Sequence, residues 1–437
     1  MDESIDLSVI LPVMNECENL RVLIPRMRAQ LERERLEFEI IVVDGGSTDG
    51  TQDEAAAQGA RVVRERRRGY AGALETGFAE ARGRYLLTLD ADLSHEPDFV
   101  AKLWRARDRG DIVIASRYTR GGVAYSGFLR KVLSRVLNVT MRRVLSMPVQ
   151  DLSSGFRLYR REAIAGLELE GRNFEVLEEI LVKSYSQGYS VFEVPFTYFP
   201  REAGQSHARL LRFGMDLTAA AARLWKLRNS IASADYDDRA FYSVIPLQRY
   251  WQRRRHRITT FWARGAARVL DAGCGSSHII QSLNNAIGMD VGMGKLRYLR
   301  RRHPIPVLRG SAFALPFRDC VFDCVISSQV IEHIPFDEVI FREISRVLRP
   351  GGTLVIGTPD YATLGWNLIE PLYGFLMPGG YRDEHVTHYT RQSLIALLAR
   401  HGFAHEETAY IARSELIMRM RKVEAADAST ATDASTG

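Results

Sequence analysis

The sequence predicts an α/β fold made of two doubly wound, largely parallel-sheet domains, and three observations carry that prediction. At 437 residues the chain exceeds one ordinary core, since domains of about 100–200 residues are usual. Two separate series of apolar strands alternate with helices, each strand running into a polar or glycine-bearing turn, which is the mark of successive βαβ units. No sequence repeat links the two series, so they are distinct domains rather than copies.

In the first series, residues 8–12 form an apolar strand, and apolar spacing makes 20–33 a helix. Strand 39–44 follows, closed by Asp44; a helix starts near Asp49, and 61–64 is the third strand. Gly72 opens a helix to residue 81, and 85–90 is a strand ending in Asp90, Ala91, Asp92. Residues 112–116 add another strand. Residues 128–145 then set Leu129, Val132, Leu133, Val136 and Leu137 on one helical face, ringed by Arg130, Lys131, Arg135, Arg142 and Arg143. That helix either rests on lipid or packs on the core with a solvated basic side, because amphipathicity serves both.

The second series repeats the logic: strand 269–271, a glycine turn and helix, a strand ending at Asp290, then strands 324–328 and 353–357. Acidic Asp235, Asp237 and Asp238, followed by an arginine run, mark the junction between the series. The expected organisation is a first domain over 1–230, a linker and leading helix over 231–258, and a second domain over 259–422. A disordered tail is expected over 423–437, whose Ala, Ser, Thr and Asp cannot bury a core.

With 46% hydrophobic and 26% charged residues, the composition is that of a globular protein, neither disordered nor membrane-spanning. The apolar stretch 217–227 is broken by Arg223 and Lys226 and falls short of the roughly 18 residues a spanning helix needs. The N-terminus enters a strand without a basic-then-apolar leader, so a cytoplasmic location is expected. Cys17, Cys274, Cys320 and Cys324 are too scattered for a disulfide framework or a zinc finger. The net charge of +6 is mild, and the arginine clusters lack interleaved aromatics, so no nucleic-acid partner is expected.

A nucleotide-diphosphate sugar leaves behind a diphosphate on which charge builds, so its enzyme needs a divalent cation or fixed positive groups there. Asp90 and Asp92 close an apolar strand at the carboxyl edge of a parallel sheet, where open α/β folds bind ligands. Hard oxygen ligands of this kind suit Mg2+ or Mn2+. Asp44 ends an earlier strand, and Glu16 follows the first.

Segments 9–19 (VILPVMNECEN), 41–51 (IVVDGGSTDGT), 90–97 (DADLSHEP) and 151–159 (DLSSGFRLY), with Gly69 and Gly72, resemble the dolichol-phosphate mannosyltransferase group of glycosyltransferase family 2. The resemblance spans residues 5–228. It implies a GT-A nucleotide-sugar fold that passes a hexose, typically mannose from GDP-mannose, to a polyprenyl phosphate acceptor with inversion. Residue by residue, it places Pro12, Met14, Glu16 and Asp44 at the nucleoside, and Asp90, Asp92 and Ser94 at the metal with Ala91 beside the donor. It gives Asp92, Arg117 and Arg201 catalytic positions, the arginines gripping phosphate oxygens. It also implies peripheral contact with a membrane surface at its inner face, through helix 128–145. The sequence departs from the group's pattern at Gly45, where a second aspartate is common, and at His207, where a lysine is common. A histidine at 207 gives the donor phosphates a weaker, pH-dependent cation. A phosphate acceptor is already anionic, so no general base is nominated.

In the second series, segment 269–275 (VLDAGCG) lets backbone approach a ligand that a β-carbon would exclude. Asp290 ends the next strand at the spacing suited to a ribose diol. With 311–317 (SAFALPF), 322–325 (FDCV), 332–334 (EHI) and 348–356 (LRPGGTLVI), this pattern resembles the class I S-adenosylmethionine (SAM) dependent methyltransferases over residues 241–421. Both halves are then Rossmann-like. The resemblance puts Asp271, Gly273 and Gly275 at the methionine part of SAM, Asp290 at its ribose, and Ser311 and Ala312 at the adenine. Ser276 and Ser277 depart from a commoner third glycine. A dinucleotide oxidoreductase is disfavoured by the missing GxGxxG spacing.

His333, His385 and His388 are candidate bases for a hydroxyl acceptor, or histidines satisfied by packing; His333 is the one nominated as catalytic. Trp366, Tyr373 and Phe375 form either a lid over the acceptor or core. The expected protein is thus a bifunctional transferase. The alternative is glycosyl transfer to a saccharide or protein hydroxyl, with the second domain a non-catalytic binding module.

Overall fold

The computed structural model describes residues 5–125, 128–198, 210–376 and 385–423. Arg201 and His207 therefore lie outside the described residues, as does all but the first residue of the tail. The chain divides into two compact units, Met1–Tyr185 with Tyr189–Arg228, and Ser186–Gly188 with Asn229–Gly437.

In the first unit the strands are β1 (Leu7–Val13), β2 (Phe38–Asp44), β3 (Arg61–Arg64), β4 (Tyr85–Thr88), β5 (Ile112–Ser116), β6 (Val123–Ala124), β7 (Arg157–Arg160), β8 (Val191–Pro195) and β9 (Thr197–Tyr198). Seven form one sheet in the order β3-β2-β1-β4-β7-β5-β8, and β6 pairs with β9. Near-continuous Val, Ile and Leu runs suit strands covered on both faces. Alternate residues of β1 serve opposite layers: Leu7, Val9, Leu11 and Val13 pack with Leu20, Leu23 and Ile24 of the helix Cys17–Arg33, while Ile10 packs with Ile41, Val43 and Leu74.

β1 and β2 run parallel with Val13 opposite Asp44, and β1 and β4 run parallel with Ile10 opposite Thr88. The carboxyl ends of three strands thus share one edge. β7 runs antiparallel to both β4 and β5, so its amino end meets that same edge. The strand expected over 85–90 stops at Thr88. The chain leaves the ladder because Leu93 takes a left-handed turn at φ 60° and the Asp90 amide donates to His95 Nδ1 instead of to a strand.

The helix Phe128–Val144 buries Asn138 and Met141, while Val132 and Val136 stand exposed beside exposed Lys131 and Arg135. The side chains of Leu129, Arg130 and Leu133 lie outside the described residues.

The second unit opens with the helices Tyr236–Phe241 and Pro246–Trp262. Its strands are β10 (Val269–Ala272), β11 (Ala286–Asp290), β12 (Val307–Arg309), β13 (Phe322–Ser328), β14 (Leu348–Pro359), β15 (Phe403–Ile411) and β16 (Glu415–Lys422), in the order β12-β11-β10-β13-β14-β16-β15. The first five are parallel, and β16 inserts antiparallel between β14 and β15. This is a doubly wound arrangement, its order reversing at β10, where open α/β sheets leave a ligand crevice. No described helix is long and apolar enough to cross a membrane.

Candidate active sites

The first unit assembles its acidic groups where β1, β2 and β4 end. Asp44, 1% exposed, accepts hydrogen bonds from Gly46 N at 2.9 Å, Ser47 N at 3.1 Å and Gln52 Nε2 at 2.7 Å. Burial alone would raise its pKa, but these donors hold the carboxyl below its ordinary value. Glu16 lies just past β1 and accepts from Asn19 Nδ2, while its own amide donates to Thr51 Oγ1 at 2.9 Å. Pro12 is in β1, and Met14 stands 57% exposed beyond it, open to a flat ligand.

The acidic turn is rigid. Asp92 is 4% exposed and takes the Ser94 amide at 3.1 Å and the Ser94 hydroxyl. Asp90 accepts from Tyr70 Oη at 3.2 Å, and Tyr70 stacks on Phe174 with centroids 4.5 Å apart. Burial, then the Asp90 charge, pushes the Tyr70 phenol well above its usual pKa, so it stays a donor. Ala91 is buried between the two carboxylates.

His95, not singled out by the sequence, accepts the Asp90 amide at 3.2 Å and is walled by Phe156, Phe196 and Tyr198. Burial lowers its pKa against the pull of Asp90 and Asp92, so the ring is neutral and works as an acceptor. Two carboxylates and a hydroxyl are a partial shell of hard oxygens. Mg2+ commonly binds through one or two carboxylates with substrate phosphates completing its coordination, so Asp90, Asp92 and Ser94 fit such an ion.

Arg117 follows β5 and is already engaged. Its Nε and Nη2 donate to Asp151 at 2.8 Å each, and Nη2 also reaches Ser153 Oγ at 2.8 Å. Burial disfavours the cation, but buried Asp151 overrides this and raises the guanidinium's pKa, while Asp151 is held low. The pair leaves Nη1 as the part of Arg117 that none of these bonds occupies. Below it, fully buried Arg157 donates to Leu177 O at 2.7 Å and Leu152 O at 2.5 Å, and burial lifts neighbouring Glu178 to about 7.

In the second unit, β10 delivers Asp271 to a cavity of about 330 Å3 that Gly273, Gly275, Asp290, Ser311, Ala312 and His333 also line. Gly273 and Gly275 have φ of 86° and 55°. A β-carbon there would come within 2.3 Å of Val330 and 2.5 Å of Asp237 Oδ2 respectively, so only glycine fits both. Ser276 and Ser277 are absent from the left-handed residues, so the turn does not require a third glycine there. Ser276 instead donates through N and Oγ to Asp237 Oδ2, at 3.0 and 3.2 Å.

Asp290 accepts Gly275 N at 2.9 Å and Gly292 N at 2.7 Å, tying the turn to β11. Asp271 is 2% exposed, and its Oδ2 has no hydrogen-bond partner among the described residues. Burial, then Asp290 and Asp237, raises its pKa to about 7. A buried acid with an orphaned oxygen, in a cavity with a second acid, suits the ammonium and ribose of SAM.

Sequence reasoning treated Asp237 only as part of a junction, and it did not find Lys295 or Arg255, which also line the cavity. Lys295 lies 3.5 Å from Asp237, and Arg255 is held by buried Glu415 at 2.6–2.7 Å. Around His333, the His385 ring lies 4.8 Å away, His388 stacks on Tyr361 at 4.0 Å, and Trp366 is 5.8 Å from His385. The Tyr373 and Phe375 side chains lie outside the described residues. Burial pushes Glu332, beside His333, to about 8.

Comparison with known proteins matches residues 8–167 to Glycosyl transferase family 2 and residues 270–356 to a Methyltransferase domain. A dolichol-phosphate mannosyltransferase of Pyrococcus furiosus is 39% identical over 209 residues, 46% of this chain and 58% of the relative, so the chain spans little more than half that protein's length. A polyprenol monophosphomannose synthase of Mycolicibacterium smegmatis is 35% identical over 215 residues, 45% of this chain and 79% of the relative. Among solved structures, a SAM-dependent methyltransferase of Thermotoga maritima, a possible histamine N-methyltransferase, is 19% identical with a TM-score of 0.36, covering 42% of this chain and 93% of that one.

Proposed function

Because the chain belongs to glycosyl transferase family 2 through its first half and carries a methyltransferase domain behind it, we propose that it transfers mannose from GDP-mannose to a polyprenyl phosphate and a methyl group from SAM to a second acceptor. The acidic edge supports the first reading: Asp44 ends β2, and Asp90 and Asp92 follow the carboxyl end of β4, two strands that both run parallel to β1. Asp44, Glu16, Pro12 and Met14 would take the nucleoside, while Asp90, Asp92 and Ser94 would hold Mg2+ or Mn2+. When bound, that ion neutralises charge on the leaving diphosphate. Arg117 through Nη1 adds fixed positive charge, Arg201 adds a second phosphate contact by the family resemblance, and His207 adds a charge that depends on pH. An acceptor phosphate oxygen bonds to the anomeric carbon from the opposite face as the bond to the diphosphate oxygen breaks, which inverts that carbon.

Exposed Val132 and Val136 beside Lys131 and Arg135 support peripheral seating on an anionic membrane surface, where a polyprenyl phosphate resides. In the second unit, Asp271 and the glycine turn take the methionine part of SAM, Asp290 its ribose, and Ser311 and Ala312 its adenine, with His333 facing the acceptor.

The test incubates purified protein with GDP- and UDP-sugars, polyprenyl phosphate, Mg2+ or Mn2+, and SAM, and reads products by mass. A mannosylated polyprenyl phosphate that disappears in Asp92→Ala, with SAM binding retained, is the expected result. Transfer that survives in Asp92→Ala defeats the metal assignment.

A further inference from the structure

The 3-10 turn Ile331–His333 and the segment at His385 are clamped by backbone. Val386 N and Thr387 N both donate to Glu332 O, at 2.8 and 3.1 Å, and Thr387 Oγ1 donates to Ile334 O at 2.7 Å. The clamp gathers one ligand-capable atom from each of Glu332, His333 and His385 within 4.8 Å of one another, and no other such group of His, Cys, Asp or Glu forms among the described residues.

Two further features point to a cation. Glu332 is 0% exposed, and neither of its carboxylate oxygens meets hydrogen-bond geometry among the described residues, although the Thr358 hydroxyl acts on it; a carboxyl so placed is unfavourable as an anion unless positive charge meets it. His385 Nδ1 lies 2.9 Å from Tyr361 Oη and 3.1 Å from Glu370 Oε1, and Tyr361 donates to Glu370 at 3.1 Å. With the phenol proton given to that carboxylate, Nδ1 must donate, which leaves the lone pair on Nε2. A carboxylate behind an imidazole in this way is how histidine ligands are commonly oriented.

We propose that Glu332, His333 and His385 bind a divalent first-row transition cation beside the methyl-donor cavity, which His333 lines. Two imidazoles and one carboxylate suit Zn2+, Co2+ or Ni2+ better than Mg2+. Metal–ligand distances of about 2.0–2.2 Å ask the donors to close by on the order of 1 Å, within reach of side-chain rotation. Such an ion binds whether or not SAM does, so its test does not depend on methyl transfer, but it shares His333 with the methyl-transfer reading and would make that imidazole a ligand rather than a base.

The test uses untagged full-length protein carrying Asp92→Ala, to silence the carboxylate site of the first unit, stripped with chelator and titrated with Co2+. About one equivalent should bind with the visible absorption of nitrogen-ligated Co2+. His333→Ala and His385→Ala should lose that band, and Glu370→Gln should weaken binding about 10–100-fold. Glu332→Gln keeps the shape of the buried side chain, so it should fold normally and still lose the ion. Circular dichroism and the melting temperature of each variant separate a lost ion from a lost fold. The absence of nitrogen-ligated Co2+ in the parent, or its persistence in folded His385→Ala and Glu332→Gln, overturns the proposal.

Discussion

Replacing Asp271 by asparagine tests the second site through its proton. Burial and the neighbouring acids push the carboxyl up to about 7 from 3.8. Ionising it there therefore costs about 4 kcal/mol, at about 1.4 kcal/mol per pH unit. The groups that face it are the acids Asp290 of β11 and Asp237 of the helix Tyr236–Phe241, with Cys274 and Lys295 close by. A methionine ammonium bound against Asp271 requires the ionised form, so below about 7 binding must release a proton. Affinity for SAM should then rise roughly tenfold per pH unit from pH 5 to 7, about a hundredfold in all, and level off above. Asp271→Asn should remove the slope and weaken binding about 10–100-fold at pH 8, the worth of a charge-assisted hydrogen bond. Titration calorimetry in buffers of different ionisation enthalpy counts the proton directly. A dissociation constant that stays flat from pH 5 to 8 with no proton released would refute the assignment of Asp271 to the ammonium.

Two more outcomes are expected. Gly275→Ala, at φ 55° and with its β-carbon 2.5 Å from Asp237 Oδ2, should lose SAM affinity at least tenfold by equilibrium binding while glycosyl transfer is retained. Glu178 is 4% exposed and titrates near 7 instead of 4.5, so the charge it gains as pH rises from about 5 to 8 withdraws up to about 3 kcal/mol from the first unit. Glu178→Gln should leave melting unchanged near pH 5 and raise the first transition at pH 8 by roughly 6–12 °C, read by calorimetry.

What the sequence reveals here is what local pattern can encode. Apolar runs located β1, β2 and β4, with Asp44 closing β2 and Asp90 just past β4, and the glycine turn located Asp271, because each signal fits within a few residues. The Arg117–Asp151 pair spans 34 positions and the Asp237–Ser276 bond 39. Neither leaves a periodic trace, so Arg117 read as a free phosphate ligand and Asp237 as junction. β7 escaped notice because Arg157–Arg160 is short and bounded by charge, and its place is fixed by pairing with β4 and β5 rather than by its own propensity. His95 escaped because a buried neutral imidazole looks no different in sequence from a surface one.

The insertion of β7 between β4 and β5 also sets when, during synthesis, the first site can exist. The Thr88 hydroxyl donates to Gly155 O at 2.7 Å, and Gly155 lies against Asp90, so this side of the acidic edge is threaded in after its neighbours have been made. A nascent chain ending before Arg160 holds β1, β2, β4 and β5 but leaves a gap in the sheet with two unpaired strand edges facing each other. Such edges invite mispairing until the late strand arrives. The gap between β4 and β5 therefore closes only after Arg160 has left the ribosome.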